Sequence, residues 1–335
     1  MTAFTPPSHL FATDGGSGVP ACPLPNGKSI PAVGYGTFRS APGEVGPAVI
    51  AALRAGYRHL DLAHVYGNEK EVGKALKQAF DEGIVTREDL FITGKLWNSD
   101  HDVEIVPQAC DFSLKNLGIG YFDLYLIHFP VCWKHTGLAT PSWGKSELGS
   151  TSLIDTWRAM ESLVDAGKCR SIGVSNYPLL TLHDLVCQAR IIPACNQIEV
   201  HAYYVRESLV NYCLSRKIAV VAHTPLGGGT LNKETWKFEA PMESTTVQGL
   251  AKQYGVAPAQ VLLRYLLQRS IIVIPKSTKP ERIAQNLDLF GFTLTDDEMK
   301  SISKMDKGIK TNPNPLDGVV GGPDQFTPTG TDIFD

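Results

Sequence analysis

The sequence predicts a single (β/α)8 barrel, and three observations carry that expectation. Short apolar runs of strand length alternate with stretches of helical periodicity about seven or eight times, with no break in composition between them. Each apolar run ends in a polar or charged residue: Asp61, Lys95, His128, Ser175/Asn176, Gln197, His223 and Lys276. The rival architecture, an open doubly wound sheet, lacks its fingerprint here. Gly34-Tyr35-Gly36 has no third glycine, and Gly94-Lys95 runs into Leu96, so neither is a phosphate loop.

The elements follow in order. Residues 1–20 are rich in Pro, Gly, Ser and Thr and are expected to be loose. Pro25-Asn26-Gly27-Lys28 places an Asn-Gly turn between short extended pieces, which predicts a hairpin. Gly34-Tyr35-Gly36 reads as a strand end and turn. Ala48–Leu53 is helical and Tyr57–Ala63 a strand. Val72, Ala75, Leu76, Ala79 and Phe80 recur on one helix face. Then come strand Leu90–Lys95, helix Val106–Leu117 and strand Tyr121–His128. A long insert, Cys132–Ser150, interrupts the rhythm with Trp133, Trp143 and several glycines, and loops of this length are usually functional or disordered. Helix Ile154–Ala166, strand Ser171–Val174, helix Leu180–Ala189, strand Ala194–Val200, helix Glu207–Arg216 and strand Ile218–His223 restore the alternation. Gly227-Gly228-Gly229 leads to helices near 244–254 and 258–269, the second opened by Pro258. Strand Ile271–Pro275 and a helix from Pro280 complete the barrel, taken as residues 21–306. Residues 307–335 form a Gly/Pro-rich tail expected to cover the site.

Composition narrows the function. Hydrophobic content of 43% and charged content of 19% suit a soluble chain with a large core. A net charge of −3 gives no electrostatic case for nucleic acid or an anionic membrane. Seven cysteines, odd in number and without CxxC spacing, read as reduced thiols in a cytoplasmic protein rather than a disulfide framework. No metal centre is expected. No apolar run approaches the roughly 20 residues of a membrane span, and the N-terminus does not read as a secretory signal.

Barrel sites lie at the C-terminal ends of the strands. Asp61, Lys95 and His128 end successive strands, and Tyr66 follows Asp61 by five residues. Any one of them alone is more often a cap, a rim residue or a solvated loop start. Together they make a proton-donating site. A buried lysine stays charged through pairing with an aspartate. A cation beside a phenol lowers its pKa from an ordinary value of about 10, which suits it to protonate a developing alkoxide. An imidazole can orient the carbonyl or donate to it. A second motif, Ile274-Pro275-Lys276-Ser277-Thr278-Lys279-Pro280-Glu281-Arg282, ends a strand and opens a helix. Helix N-termini favour phosphate, and Lys276, Arg282, Ser277 and Thr278 add cations and hydroxyls. A capped helix with solvated charges explains the motif equally well alone; beside the polar ring, a nucleotide phosphate site is the preferred reading.

These motifs resemble the aldo-keto reductase family over about residues 25–305. Gly56–Ala63 is similar to its first signature, with Leu62 where a smaller residue is usual. Ile172–Tyr177 is similar to the second and Ile274–Asn286 to the third. The resemblance implies an NADPH-dependent carbonyl reductase with Asp61, Tyr66, Lys95 and His128 as the catalytic tetrad and Tyr66 as the acid. It implies that Ser175, Asn176 and Gln197 hold the nicotinamide carboxamide and that Thr37 lies near its ribose. Lys276, Ser277 and Arg282 would bind the 2′-phosphate, and Gln285 and Asn286 the adenine. Thr224, Leu226 and Thr278 complete the cofactor set. His223 stands where most members stack Tyr or Phe on the nicotinamide. Leu96–His101, Trp157–Tyr177 and His223–Gly228 are similar to plant aldose-6-phosphate and mannose-6-phosphate reductases, so the implied substrate is an aldose or aldose 6-phosphate. Phe38, Trp97, Phe129 and Trp133 would wall the substrate pocket, with Phe129 where the family usually has Trp. Lys134 and His135 would meet a substrate phosphate or simply face solvent. A non-catalytic NADP(H)-sensing or partner-binding barrel is the alternative from another class, and the intact tetrad speaks against it.

Overall fold

The computed structural model describes residue 11 and residues 18–139, 146–228 and 239–311. The expectations for most of residues 1–20, for Trp143 and Gly229, and for 312–335 lie outside those residues. A hairpin comes first, β1 (Ala21–Pro23) paired antiparallel with β2 (Ser29–Pro31). Gly27 supplies the left-handed turn at φ +80°, and the Asn26 amide donates to Arg170 O at 2.9 Å and to Ser171 Oγ at 2.7 Å, which fastens the hairpin to the barrel.

Eight parallel strands follow: β3 (Tyr35–Gly36), β4 (His59–Asp61), β5 (Phe91–Leu96), β6 (Phe122–Ile127), β7 (Cys169–Ser175), β8 (Cys195–Glu199), β9 (Ala219–His223) and β10 (Ile271–Val273). Each pairs with its sequence neighbour. Val33 bridges Val273 in parallel, and Gly34 N and Gly36 N donate to Val273 O at 2.8 Å and Pro275 O at 3.1 Å, so the sheet closes. A Cβ on Gly36 would lie 2.9 Å from Ile274 O, which is why the closing strand carries glycine there. The helices are α1 (Val45–Ala55), α2 (Glu69–Asp81), α3 (Val106–Leu117), α4 (Leu153–Asp165), α5 (Leu179–Gln188), α6 (Glu207–Ser215), α7 (Thr245–Tyr254), α8 (Pro258–Gln268), α9 (Pro280–Leu287) and α10 (Asp296–Ser303). Gly56, Gly118 and Gly255 end α1, α3 and α7 in the left-handed region, the usual glycine stop.

The strands' period of two separates the two cores. One face of β4–β10 packs against the helices, where Val72, Ala75, Leu76 and Ala79 of α2 are buried as their spacing predicts. The other face fills the barrel interior. Its lower layers are mostly apolar: Phe91, Leu124, Leu126, Cys195, Val221 and Ile272 meet Cys22, Leu24 and Ile30 of the hairpin, which plugs the N-terminal end, and the buried His59 and Thr93 there pair with each other at 3.3 Å. The upper layer is polar, and that inversion makes the site.

The strand and helix expectations agree with the structure to within a few residues at each end. The sequence reading did not identify α10, although Thr295 and Glu298 form a reciprocal capping box at its start. Among the described residues, no helix is long and apolar enough to cross a membrane.

Candidate active site

Inward-pointing positions at the tops of β4 and β5 bring Asp61 and Lys95 together. Lys95 is 1% exposed. Its Nζ donates to Asp61 Oδ1 at 2.5 Å, to Leu62 O at 2.9 Å and to the Tyr66 hydroxyl at 3.2 Å. Gly94 makes room for this strand against β6: a Cβ there would sit 2.5 Å from the Phe122 ring. Tyr66 reaches the rim on a short turn of helix, His64–Tyr66, stopped by Gly67 at φ +69°. The second oxygen of Asp61 accepts from Gln197 Nε2 at 2.6 Å, and its backbone carbonyl accepts from the Thr37 hydroxyl at 2.9 Å. The aspartate is thus held from β3, β5 and β8 at once.

Burial dominates the titration of this cluster. It opposes the Lys95 charge, but the attraction of Asp61 and Tyr66 prevails and the ammonium's pKa lies above its ordinary value. For Tyr66 the sequence reading is corrected. Burial and the Asp61 charge raise the phenol more than Lys95 lowers it, so its pKa stands above the ordinary value in the free protein. The phenol therefore keeps its proton through neutral pH. His128 is pushed well below its ordinary value by burial, Lys95 and His223, and is a neutral imidazole at pH 7.

The His128 ring lies edge-on to Tyr66, with centroids 5.9 Å apart, and edge-on to Trp97 at 5.1 Å; it stacks on Phe129 at 5.1 Å. Phe38 packs on Tyr66 at 4.9 Å. Phe38, Phe129 and Tyr66 remain partly exposed, whereas Trp97 and Trp133 are 1% and 2% exposed and back one another at 5.4 Å. The two indoles buttress the rim from behind. Lys134 turns outward onto Glu147 at 3.1 Å, and His135 Nδ1 faces Ser99 O at 3.0 Å and Asp100 Oδ1 at 3.2 Å.

A shelf of amides and hydroxyls adjoins the tetrad at the ends of β7, β8 and β9. Ser175 Oγ donates to Gln197 O at 2.8 Å, Asn176 Nδ2 donates to His128 O at 2.9 Å, and His223 Nε2 lies 2.9 Å from Asn176 Oδ1. Thr224, at φ +52°, places its hydroxyl 3.1 Å from His223 Nδ1, and Leu226 follows half-buried. On the far side of β10, Lys276 Nζ donates to Arg39 O at 2.9 Å. Ser277 Oγ accepts from Lys279 N at 3.1 Å, ahead of the first turn of α9. Thr278 is half-buried, Arg282 and Gln285 are exposed, and Asn286 is buried. Burial moves the Lys276 ammonium below its ordinary pKa, and Glu44 acts in the opposite sense.

These donor sets fit a nicotinamide dinucleotide. Amides and hydroxyls gather beside the phenol, His128 Nδ1 is a buried polar atom with no partner among the described residues, and cations stand at a helix N-terminus. Sequence reasoning missed Glu199, one strand position from this shelf and in register with His223. Its Oε1 accepts from His201 Nε2 at 3.0 Å, Thr311 N at 2.6 Å and Thr311 Oγ1 at 2.5 Å, which moors the start of the C-terminal tail to the rim. Burial opposes its charge, yet these bonds hold the carboxyl well below the carboxylate range. The inward alternation Gln197, Glu199, His201 is the signal that could have found it.

A closed parallel barrel with a buried Lys–Asp pair, a protonated phenol and a neutral imidazole on its C-terminal rim defines a class: a barrel enzyme whose rim carries a group able to give up a proton. The chain belongs to the Aldo/keto reductase family, whose profile matches residues 32–307. It is similar to a probable NAD(P)H-dependent D-xylose reductase of Emericella nidulans, with 44% identity covering 90% of this chain and 98% of that one. It is similar to the NADP-dependent D-sorbitol-6-phosphate dehydrogenase of Malus domestica, with 40% identity covering 86% and 94%. Among solved structures, the aldose reductase from Schistosoma japonicum superposes with a TM-score of 0.80 at 43% identity, covering 86% of this chain and 93% of that one. A Bombyx mori aldo-keto reductase in complex with NADP gives a TM-score of 0.79 at 40% identity, covering 87% and 94%.

Proposed function

We propose that the protein reduces an aldehyde to the corresponding alcohol with NADPH, and that the aldehyde is an aldose or aldose 6-phosphate. The observation that carries this reading is the bridge made by Lys95 Nζ, 2.5 Å from Asp61 Oδ1 and 3.2 Å from the Tyr66 hydroxyl. When bound, NADPH supplies the hydride for the carbonyl carbon. Tyr66 gives its proton to the carbonyl oxygen and becomes a phenolate against the Lys95 ammonium. The Lys95 hydrogen bond is charge-assisted from the start; once the phenol becomes a phenolate it joins two opposite charges, so the contact tightens as the proton leaves. Positioned proton transfer of this kind contributes about 10²–10⁴-fold to rate. Asp61 keeps Lys95 charged, and Gln197 and Thr37 keep Asp61 in place. His128, neutral, directs one N–H at the carbonyl oxygen.

Ser175, Asn176, Gln197 and Thr37 would hold the nicotinamide end, with His223, Thr224 and Leu226 along its edge. Lys276, Ser277, Thr278 and Arg282 would take the 2′-phosphate, and Gln285 and Asn286 the adenine. Phe38 and Phe129 would flank the substrate, with Trp97 and Trp133 behind them. A substrate phosphate at Lys134 must displace Glu147 from an exposed pair of a kind worth under about 1 kcal/mol, which is a small obstacle. Seven free thiols suit a reducing compartment such as the cytoplasm.

The test is absorbance loss of NADPH with glucose 6-phosphate, mannose 6-phosphate, xylose and glyceraldehyde. Consumption that depends on aldehyde supports the reading, and a kcat/KM preference for the phosphorylated sugars assigns the subclass. NADPH binding with no consumption across the panel contradicts it.

A further inference from the structure

Resting on the reading of the shelf as the carboxamide end of an NADPH site, we propose that His223 is a positioning residue: its Nε2–H sets the amide of Asn176, so that β7 and β9 present that amide in one orientation. The hydrogen-bond directions are forced. Asn176 caps β7 in the left-handed region at φ +60°, a conformation asparagine tolerates better than most residues. One end of its amide lies 2.9 Å from the backbone carbonyl of His128, which can only accept, so that end is the NH2 group. The oxygen must then face β9, where His223 Nε2 stands 2.9 Å away. An acceptor in that position requires the ring to carry its hydrogen on Nε2.

Burial lowers the His223 pKa to about 4, so the ring is neutral at pH 7 and Nδ1 is bare. Nδ1 lies 3.1 Å from the Thr224 hydroxyl and accepts its hydrogen. Both ring nitrogens are therefore assigned, and the imidazole has a single tautomer. The chain of bonds continues inward. Asn176 Nδ2 is also 3.1 Å from Ser175 Oγ, whose hydroxyl donates to Gln197 O at 2.8 Å. Gln197 Nε2 reaches Asp61 Oδ2 at 2.6 Å. A path of hydrogen bonds, carried from backbone to side chain through the covalent frame of Gln197, thus runs from β9 across the shelf to the Lys95–Asp61 pair. A phenyl ring at position 223 could stack on a flat ligand but could not donate, and Asn176 Oδ1 would lose its partner.

Two variants separate stacking from positioning. His223→Phe keeps an aromatic face and removes the donor; His223→Gln removes the ring and keeps an N–H donor. NADPH affinity is read by fluorescence titration, alongside kcat and the melting temperature. Positioning predicts that His223→Phe weakens NADPH about five- to tenfold, the range of one lost net hydrogen bond, and that His223→Gln recovers most of that loss. Nitrogen-15 shifts of the ligand-free wild type should show His223 protonated on Nε2, and this readout needs neither cofactor nor variant. NADPH binding to His223→Phe as tight as wild type, or the opposite tautomer, overturns the proposal while leaving the proposed reductase activity intact. A wild-type protein that binds no NADPH overturns both the functional reading and the positioning role.

Discussion

Asp61→Asn separates the charge of the aspartate from its shape. Asp61 accepts through both oxygens, from Lys95 Nζ at 2.5 Å and from Gln197 Nε2 at 2.6 Å. Asparagine has one acceptor oxygen. With its oxygen kept on the Lys95 ammonium, its NH2 group meets the Gln197 amide, which must turn over to accept. The lysine, 1% exposed, also loses its counter-charge. Removing one partner of a buried pair costs about 3–5 kcal/mol. With an unfolding entropy of about 2.1 cal/mol/K per residue, a chain of this length loses about 0.7 kcal/mol per degree, so Tm should fall by about 4–7 °C. The pH dependence has a definite sign. The folded Lys95 pKa lies above the unfolded value of 10.5, so the stability it contributes is fully present below that value and is lost as pH rises through the folded pKa. The Tm deficit should therefore be largest at neutral pH and should close in strongly alkaline buffer. Circular-dichroism melts at a series of pH values measure it. A Tm within 1 °C of wild type at pH 7, or a deficit that widens in alkaline buffer, would refute the reasoning.

Two further outcomes follow from the same geometry. Lys276→Ala should weaken NADPH about tenfold or more and leave NADH within about twofold, since a charge-assisted bond to phosphate is worth roughly 1.5–3 kcal/mol; equal losses in fluorescence titrations would remove the 2′-phosphate assignment. Because His128 is held neutral by burial, Lys95 and His223, kcat/KM for aldehyde reduction should show no step from about pH 6 to 8, and a limb centred near 6.5 would contradict the site's electrostatics.

Much of the fold was legible because the barrel's rhythm is local. Apolar runs that end in Asp61, Lys95, Gln197 and His223 already placed polar side chains on one inward face, and period-two geometry does the rest. Val106–Leu117 coincides with α3 to the residue, since Pro107 in its first turn suits a helix start and Gly118 after its end is a helix stop. What the sequence hid is non-local. The partner of Lys134 is Glu147, thirteen residues away in a loop whose shape no periodicity encodes. The mooring of Thr311 by Glu199 spans 112 residues. The direction of the Tyr66 shift depends on how deeply the phenol is buried; the expectation that Lys95 lies beside it suggests only the opposing effect. The amide shelf was visible as residue types, but the order of its hydrogen bonds required the register of β7, β8 and β9.

Tyr66→Phe tests the central claim most directly, because it removes one oxygen and leaves the Lys95–Asp61 pair and the cofactor shelf untouched. Single-turnover reduction with saturating NADPH should fall by at least about a hundredfold, the lower bound for a positioned proton donor, while NADPH affinity stays within a few fold. Turnover near the wild-type rate in that variant would mean that the proton comes from elsewhere.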